Sequence, residues 1–236
     1  MPTALLEETP GVVLAMYAHP DDAEVAAGGT LARWASAGAA VYVCVCAQGD
    51  KGSLDPAVVP ATLVESRKFE SAEASRILGL AGRFWLGHSD GEFDNTAQLR
   101  AQLVGLIRKL KPQVVLGPDP TAVFFGQSYV NHRDHRAVGW AVIDAVCPAA
   151  SNPHYFPGEG PPHSVSRLLL SGTLEPDVWV DVTDSIDAKV AAVICHASQI
   201  GERGDLVRSS VLRRAGDAGQ RAGPRFAEGF RQVVLW

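Results

Sequence analysis

The sequence predicts an α/β fold: a three-layer, Rossmann-like arrangement with a mostly parallel sheet flanked by helices. Three observations carry this. Apolar runs of strand length alternate with segments of helical period. The runs are apolar throughout rather than at every second residue, as strands covered on both faces must be. The chain has 236 residues, 47% hydrophobic and 20% charged, the composition of one soluble globular domain spanning 1–236. A domain of that length buries roughly 70–75% of its unfolded surface, so it needs no disulfide or metal simply to fold.

Residues 12–18 (VVLAMYA) are an unbroken apolar run and the first strand. Helical spacing follows over 28–38. Residues 40–47 (AVYVCVCA) are the next strand, and Cys44 and Cys46, two apart, point to one face of it. A helix over 62–79 leads to a short strand at 83–86 (RFWL). The helix at 96–110 is the clearest: Leu99, Leu103, Leu106, Ile107 and Leu110 recur at helical spacing, with Arg100, Arg108 and Lys109 elsewhere on its surface. Thr96 starts it and Pro112 stops it. A strand at 113–117 (QVVLG) and a helix at 132–146 come next. Residues 148–165, rich in Pro, Gly, Ser and Asn, read as a loop-rich insertion of the kind that serves as a lid or interface segment. Strands at 167–171 and 178–182 and helices at 184–198 and within 202–215 complete the series, and the Gly- and Arg-rich stretch 216–225 reads as a mobile tail.

The net charge of -5 gives no basic footprint and argues against a nucleic-acid partner. The opening MPTALLEETPG has neither a basic segment nor a long apolar core, and no run approaches about 18 apolar residues. A cytoplasmic protein without a membrane span is therefore expected. Cys44, Cys46, Cys147 and Cys195 form no CxxC pair and read as buried thiols. Trp34, Trp85, Trp140 and Trp179 read as core, and Arg203, Arg208, Arg213 and Arg214 as one solvated helix face.

The chemistry concentrates in two clusters. His19-Pro20-Asp21-Asp22-Ala23-Glu24 follows directly on the first strand. Open α/β sheets bind ligands beyond the C-terminal ends of their strands, which is where His19 stands. Pro20 biases His19 away from helical geometry, so His19 and Asp22 can converge on one point while Asp21 stays free. The second cluster, Asn131-His132-Arg133-Asp134-His135, opens a helix with Asn131 as its N-cap. His132 and His135 then share a face, and one or both can join the first cluster. Two nitrogens and one oxygen would leave a zinc position open for water, as catalytic sites require. Asp21 could deprotonate that water; His132 could stabilise an oxyanion or protonate a leaving nitrogen; Asp134 could orient a histidine from behind.

With these residues the chain resembles the PIG-L/LmbE-like family of zinc-dependent N-deacetylases, whose members act on N-acetylglucosaminyl compounds in GPI-anchor, mycothiol and bacillithiol synthesis. The family's AHPDD(x)E motif stands here at Ala18 to Glu24 and its HxxH motif at His132 to His135. The resemblance implies His19, Asp22 and His135 as metal ligands, Asp21 as general base and His132 as the oxyanion or acid histidine. Further similarities are Gly28-Gly29-Thr30-Leu31-Ala32, Arg67 and Glu70 ahead of Leu78-Gly79, the 87–91 loop holding Asp90, and Lys189 with His196-Ala197-Ser198-Gln199. Asp50 stands where many members carry Glu, and 147–162 does not match their sugar-site segments. Asp50, Arg67 and Asp90 are candidate substrate contacts.

Two rivals are weighed. Gly87-His88-Ser89-Asp90-Gly91 spells the G-x-S-x-G of serine hydrolases, but an elbow needs its helix directly after the serine, and 91–95 intervenes. A non-catalytic Rossmann-like binding protein would suit the fold, but no G-x-G-x-x-G is present. The expected activity is therefore metal-dependent hydrolysis of an acyl group, acetyl in the first instance, from the nitrogen of an amino sugar or similar small metabolite. Zinc is the expected ion and iron(II) an acceptable one. The resemblance also admits a homo-oligomer.

Overall fold

The computed structural model describes residues 4–235. The elements are β1 (Ala4–Leu5), β2 (Val12–Tyr17), α1 (Asp22–Ser36), β3 (Ala40–Ala47), α2 (Pro60–Leu78), β4 (Gly82–His88), α3 (Ala97–Leu110) and β5 (Val114–Pro118). A small hairpin, β6 (Phe124–Phe125) and β7 (Tyr129–Val130), precedes α4 (Arg133–Asp144). Then come β8 (Arg167–Ser171), β9 (Val178–Asp181), α5 (Ile186–Ile194), α6 (Ala197–Ile200), α7 (Gly204–Ala222) and β10 (Ala227–Val234). Among the described residues no helix is long and apolar enough to cross a membrane.

One sheet carries the fold, in the order β1-β9-β10-β8-β5-β2-β3-β4. Its neighbours are parallel, except that β10 lies antiparallel between β8 and β9. The central strands β2, β3 and β5 are apolar throughout because both faces are covered. Val13, Ala15 and Tyr17 face a core built with α1, α5 and α7, whereas Leu14 and Met16 face one built with α3 and α4. Cys44 and Cys46 share the second face, as their spacing predicts. The chain leaves β2 for β3 and β4 on one side and returns to β5 on the other. The C-terminal ends of β2 and β5 therefore flank a topological switch point, where the loops part and leave a crevice.

All six predicted strands form, but β1, the hairpin and β10 lay outside the prediction. Helix α1 already begins at Asp22, with Asp22 and Glu24 in its first turn, where acidic groups suit the helix dipole. Gly28 and Gly29 let it approach its neighbours: a Cβ on Gly29 would lie 2.8 Å from Val182, and one on Gly28 would lie 3.2 Å from Lys189. Thr96 caps α3 by accepting from Leu99 N–H at 3.1 Å, as expected. The stretch read as a tail from 216 forms the end of α7 as far as Ala222.

Three expectations need correction. Arg108 is not on the surface of α3 but buried, at 2% exposure. It donates to six backbone carbonyls, those of Ala149, Ala150, Asn152, Tyr155, Phe156 and Gly160. An irregular segment satisfies only some of its own carbonyls, and one guanidinium with five donors supplies the further bonds. Trp140 is exposed rather than core. Of the four thiols only Cys44 and Cys46 are buried; Cys147 is exposed, and Cys195 is half-buried, where burial pushes its pKa up to about 11.

Candidate active site

Both motif clusters leave the sheet at the switch point. After β2 the chain turns through His19 and Pro20 into α1. The His19 N–H donates to Asp22 Oδ2 at 2.7 Å, which closes the turn. Behind it, the Pro20 carbonyl accepts from Ser71 Oγ at 3.1 Å and from Arg83 Nη1 at 3.3 Å. Arg83 also donates to Ser75 Oγ and pairs with the buried Glu24, the last residue of the first motif. The turn is thus fixed from α1, α2 and β4 together.

The second cluster arrives from β5 through the hairpin. The N-cap of α4 is His132, not Asn131: His132 Nδ1 accepts from Asp134 N–H at 3.2 Å. Asn131 is instead buried and fixes a ring. Its Nδ2 donates to the Ala122 carbonyl, and its Oδ1 meets His135 Nδ1 at 3.0 Å. His135 Nδ1 therefore carries the proton and Nε2 is left to face the crevice.

Three side chains converge there, the histidines through one nitrogen each and Asp22 through both carboxylate oxygens. His19 Nδ1 lies 3.4 Å from Asp22 Oδ2 and 3.2 Å from His135 Nε2, and His135 Nε2 lies 3.2 Å from Asp22 Oδ1. Donors held about 2.1 Å from one tetrahedral ion stand about 3.4 Å apart, so the set has the spacing of a zinc-sized cage. Electrostatics agrees. Burial opposes charge on His19, but Asp22 and Asp134 outweigh it and push its pKa up to about 10. The pKa of His135 is likewise raised against burial by Asp22, and that of Asp22 is held well below the carboxylate range by the two histidines. The pocket demands positive charge, which protons or a cation can supply. His19, His132 and Asp134 also approach one another. There, however, His132 Nδ1 is already an acceptor and Asp134 Oδ2 serves the Nε2 of His19 at 3.2 Å. Asp134, fully buried and also accepting from Gly91 N–H, orients His19.

Around these atoms lies a cavity of about 390 Å³. Asp21, Arg67, Asp90 and His132 line it, as the sequence led one to expect, and Lys51, Tyr129 and Gln199 join them. Arg67 is only 3% exposed and donates to Asp21 Oδ1 at 2.8 Å. Asp21 Oδ2 has no hydrogen-bond partner among the described residues. Burial and the neighbouring His19 hold the pKa of His132 below its ordinary value. Asp50 does not line the cavity; its carboxylate accepts from Ser89 Oγ at 2.6 Å and from Asp90 N–H at 2.8 Å. It shapes the loop that presents Asp90, which in turn accepts from the N–H groups of Gly49 and Lys51. The Ser89 hydroxyl is thus committed to a carboxylate, and α3 begins only at Ala97, so no nucleophile elbow forms. Gln199 reaches the rim because Glu70 clamps its neighbour: Glu70 accepts from both Ser198 N–H and Ser198 Oγ at 2.6 Å. The HxSQ run had signalled this segment; nothing local in the sequence signalled Tyr129.

Residues 14–146 match the family described as PIG-L, GlcNAc-PI de-N-acetylase. A diacetylchitobiose deacetylase of Thermococcus kodakarensis is 32% identical over 226 residues, covering 94% of this chain and 82% of that one. The N,N'-diacetylchitobiose deacetylase from Pyrococcus horikoshii, solved with an inhibitor, superposes with a TM-score of 0.87 at 28% identity, over 95% of this chain and 84% of the other. The conserved protein TT1542 from Thermus thermophilus superposes with a TM-score of 0.79 at 32% identity, over 95% and 96%.

Proposed function

Because the chain belongs to the PIG-L family of de-N-acetylases, we propose that it is a metal-dependent hydrolase that removes an acetyl group from the nitrogen of an amino sugar. The observation that carries this is the convergence of His19 Nδ1, His135 Nε2 and the two oxygens of the Asp22 carboxylate, at contacts of 3.2 to 3.4 Å, on a polar cavity. These three residues would hold a divalent ion, zinc in the first instance and iron(II) as the alternative. When bound, the ion polarises a carbonyl and lowers the pKa of water towards about 7.

The remaining steps belong to the chain's own groups. Asp21 takes a proton from the attacking water through Oδ2, while Arg67 holds Oδ1 and fixes the carboxylate's direction. The water oxygen bonds to the carbonyl carbon. His132 Nδ1 accepts from Asp134 N–H, so its neutral ring carries the proton on Nε2 and donates to the developing oxyanion. Asp21 then passes its proton to the amide nitrogen, the C–N bond breaks, and acetate and the free amine leave. Asp90, Lys51 and Gln199 offer both donors and acceptors to sugar hydroxyls.

Amine release from N-acetylglucosamine and diacetylchitobiose, before and after chelation, tests the reading. Activity that chelation removes and zinc restores is expected. Turnover indifferent to chelation would overturn the metal-dependent mechanism.

A further inference from the structure

We propose that an apolar slot beside the centre is an acyl-chain site, and that the protein hydrolyses N-acyl amines with acyl groups of about four to six carbons as well as acetyl; this rests on the deacylase reading above. Two cavities meet at Asp22, Tyr129 and His135. The polar one holds Asp21 and His132. The other holds neither, and is walled by Tyr17, Val25, Ala26, Pro118 and Phe125. A scissile amide at the centre sends its nitrogen half one way and its acyl substituent the other. The departing nitrogen takes its proton from Asp21, which faces only the polar cavity. The amine half therefore occupies that cavity, and the acyl half is left to the slot.

The slot is larger than an acetyl methyl needs. Its volume is about 130 Å³. A water-sized group takes about 30 Å³, so roughly four such groups fit. Nor does it end blindly: Val25, Ala26, Phe125, Tyr129 and Gly172 also line a neighbouring cavity of about 590 Å³. Phe125 and Tyr129, with ring centroids 5.8 Å apart, form the outer wall. Tyr129, half exposed at the rim, can turn its hydroxyl to solvent, and the inner hydroxyls are already engaged. Tyr17 Oη and Ser171 Oγ bond to each other at 2.9 Å, and Ser171 Oγ also donates to the Gly117 carbonyl. A hydrocarbon chain therefore meets few unsatisfied groups there.

The test compares N-acetyl-, N-butanoyl- and N-hexanoylglucosamine. The same hydrolysis applies to each, with water's oxygen joining the carbonyl carbon and the proton going to nitrogen. Support would be a hexanoyl kcat/KM within about tenfold of the acetyl value, or above it; a value below about a tenth would overturn the inference while acetyl turnover preserved the proposed function. Binding supplies a second readout. In the Asp21→Asn variant, Kd is expected to tighten by up to about fourfold per added methylene that is buried. A flat series would overturn the slot. Ala26→Leu, with its folding checked by circular dichroism, is expected to lower the hexanoyl-to-acetyl ratio of kcat/KM by about tenfold; an unchanged ratio in the folded variant counts against the slot. If no N-acyl sugar is turned over, the deacylase reading falls, and the Kd series alone decides the slot.

Discussion

Asp21 stands apart from its neighbours in the HPDD turn because its carboxylate is held by Arg67 and not by a histidine. Replacing it with Asn keeps the shape of the side chain and removes the proton acceptor. Turnover is expected to fall about 10²- to 10⁴-fold with the metal content unchanged by elemental analysis; undiminished turnover would remove Asp21 from the mechanism. Proton linkage gives a second test. The ordinary pKa of His19 is 6.5, and in the metal-free protein it is pushed up to about 10. A raised folded-state pKa stabilises the fold fully below 6.5 and loses that contribution as pH rises towards about 10. The melting temperature of chelated protein is therefore expected to decline across that window, whereas metal-loaded protein, in which an ion in place of a titrating proton would hold His19 Nδ1, should decline less. Parallel curves would contradict the electrostatic picture. That the two clusters would meet was legible in the sequence because the spacings within each are short, while the choice of His135 over His132 rested on the family resemblance. The Arg67–Asp21 pair was not, because it joins residues 46 apart that only the packing of α2 on the HPDD turn brings together.

At the level of elements, the segment after α4 is the instructive case. Its composition suggested a lid, but Arg108 stakes it to α3. It also packs at the end of the sheet remote from the crevice: His163 Nε2 donates to the Pro112 carbonyl, and Ser166 N–H to that of Gln113, at the start of β5. Arg108→Leu would remove a buried donor from six carbonyls, of which those of Ala150, Asn152 and Phe156 would keep a backbone N–H. It is expected to cost about 3–5 kcal/mol by urea unfolding and to leave kcat/KM unchanged at temperatures where the variant stays folded. A loss of activity without a loss of stability would return the segment to the status of a lid. Composition reveals that a segment lacks regular structure; it does not reveal which buried cation satisfies it. Strand β10 escaped prediction for a related reason. Its residues AEGFRQVV mix buried, half-buried and exposed positions, so they show neither the unbroken apolar run of β2 nor a clean alternation.

For the molecule as a whole, β10 joins the two ends of the chain. Glu228 accepts from the Gly29 and Thr30 N–H groups of α1 and pairs with the buried Lys189 of α5. Glu228→Ala strands that ammonium and is expected to cost about 3–5 kcal/mol, read as a lower midpoint in urea; an unshifted midpoint would show the pair to be dispensable. Parallel order was legible because helices alternate with strands, but a late antiparallel insertion leaves no periodic trace. It does impose an order of assembly. Translation delivers β10 last, and until it emerges β8 and β9 have no strand between them and α1 lacks its carboxylate. The helix that bears Asp22 is therefore completed only once β10 has emerged. A nascent chain can carry every proposed metal ligand and still be unfinished, and a chain cut before β10 lacks the strand that joins β8 to β9. An arrest-peptide force measurement along the growing chain is expected to record its main pull only after residue 234 clears the exit tunnel.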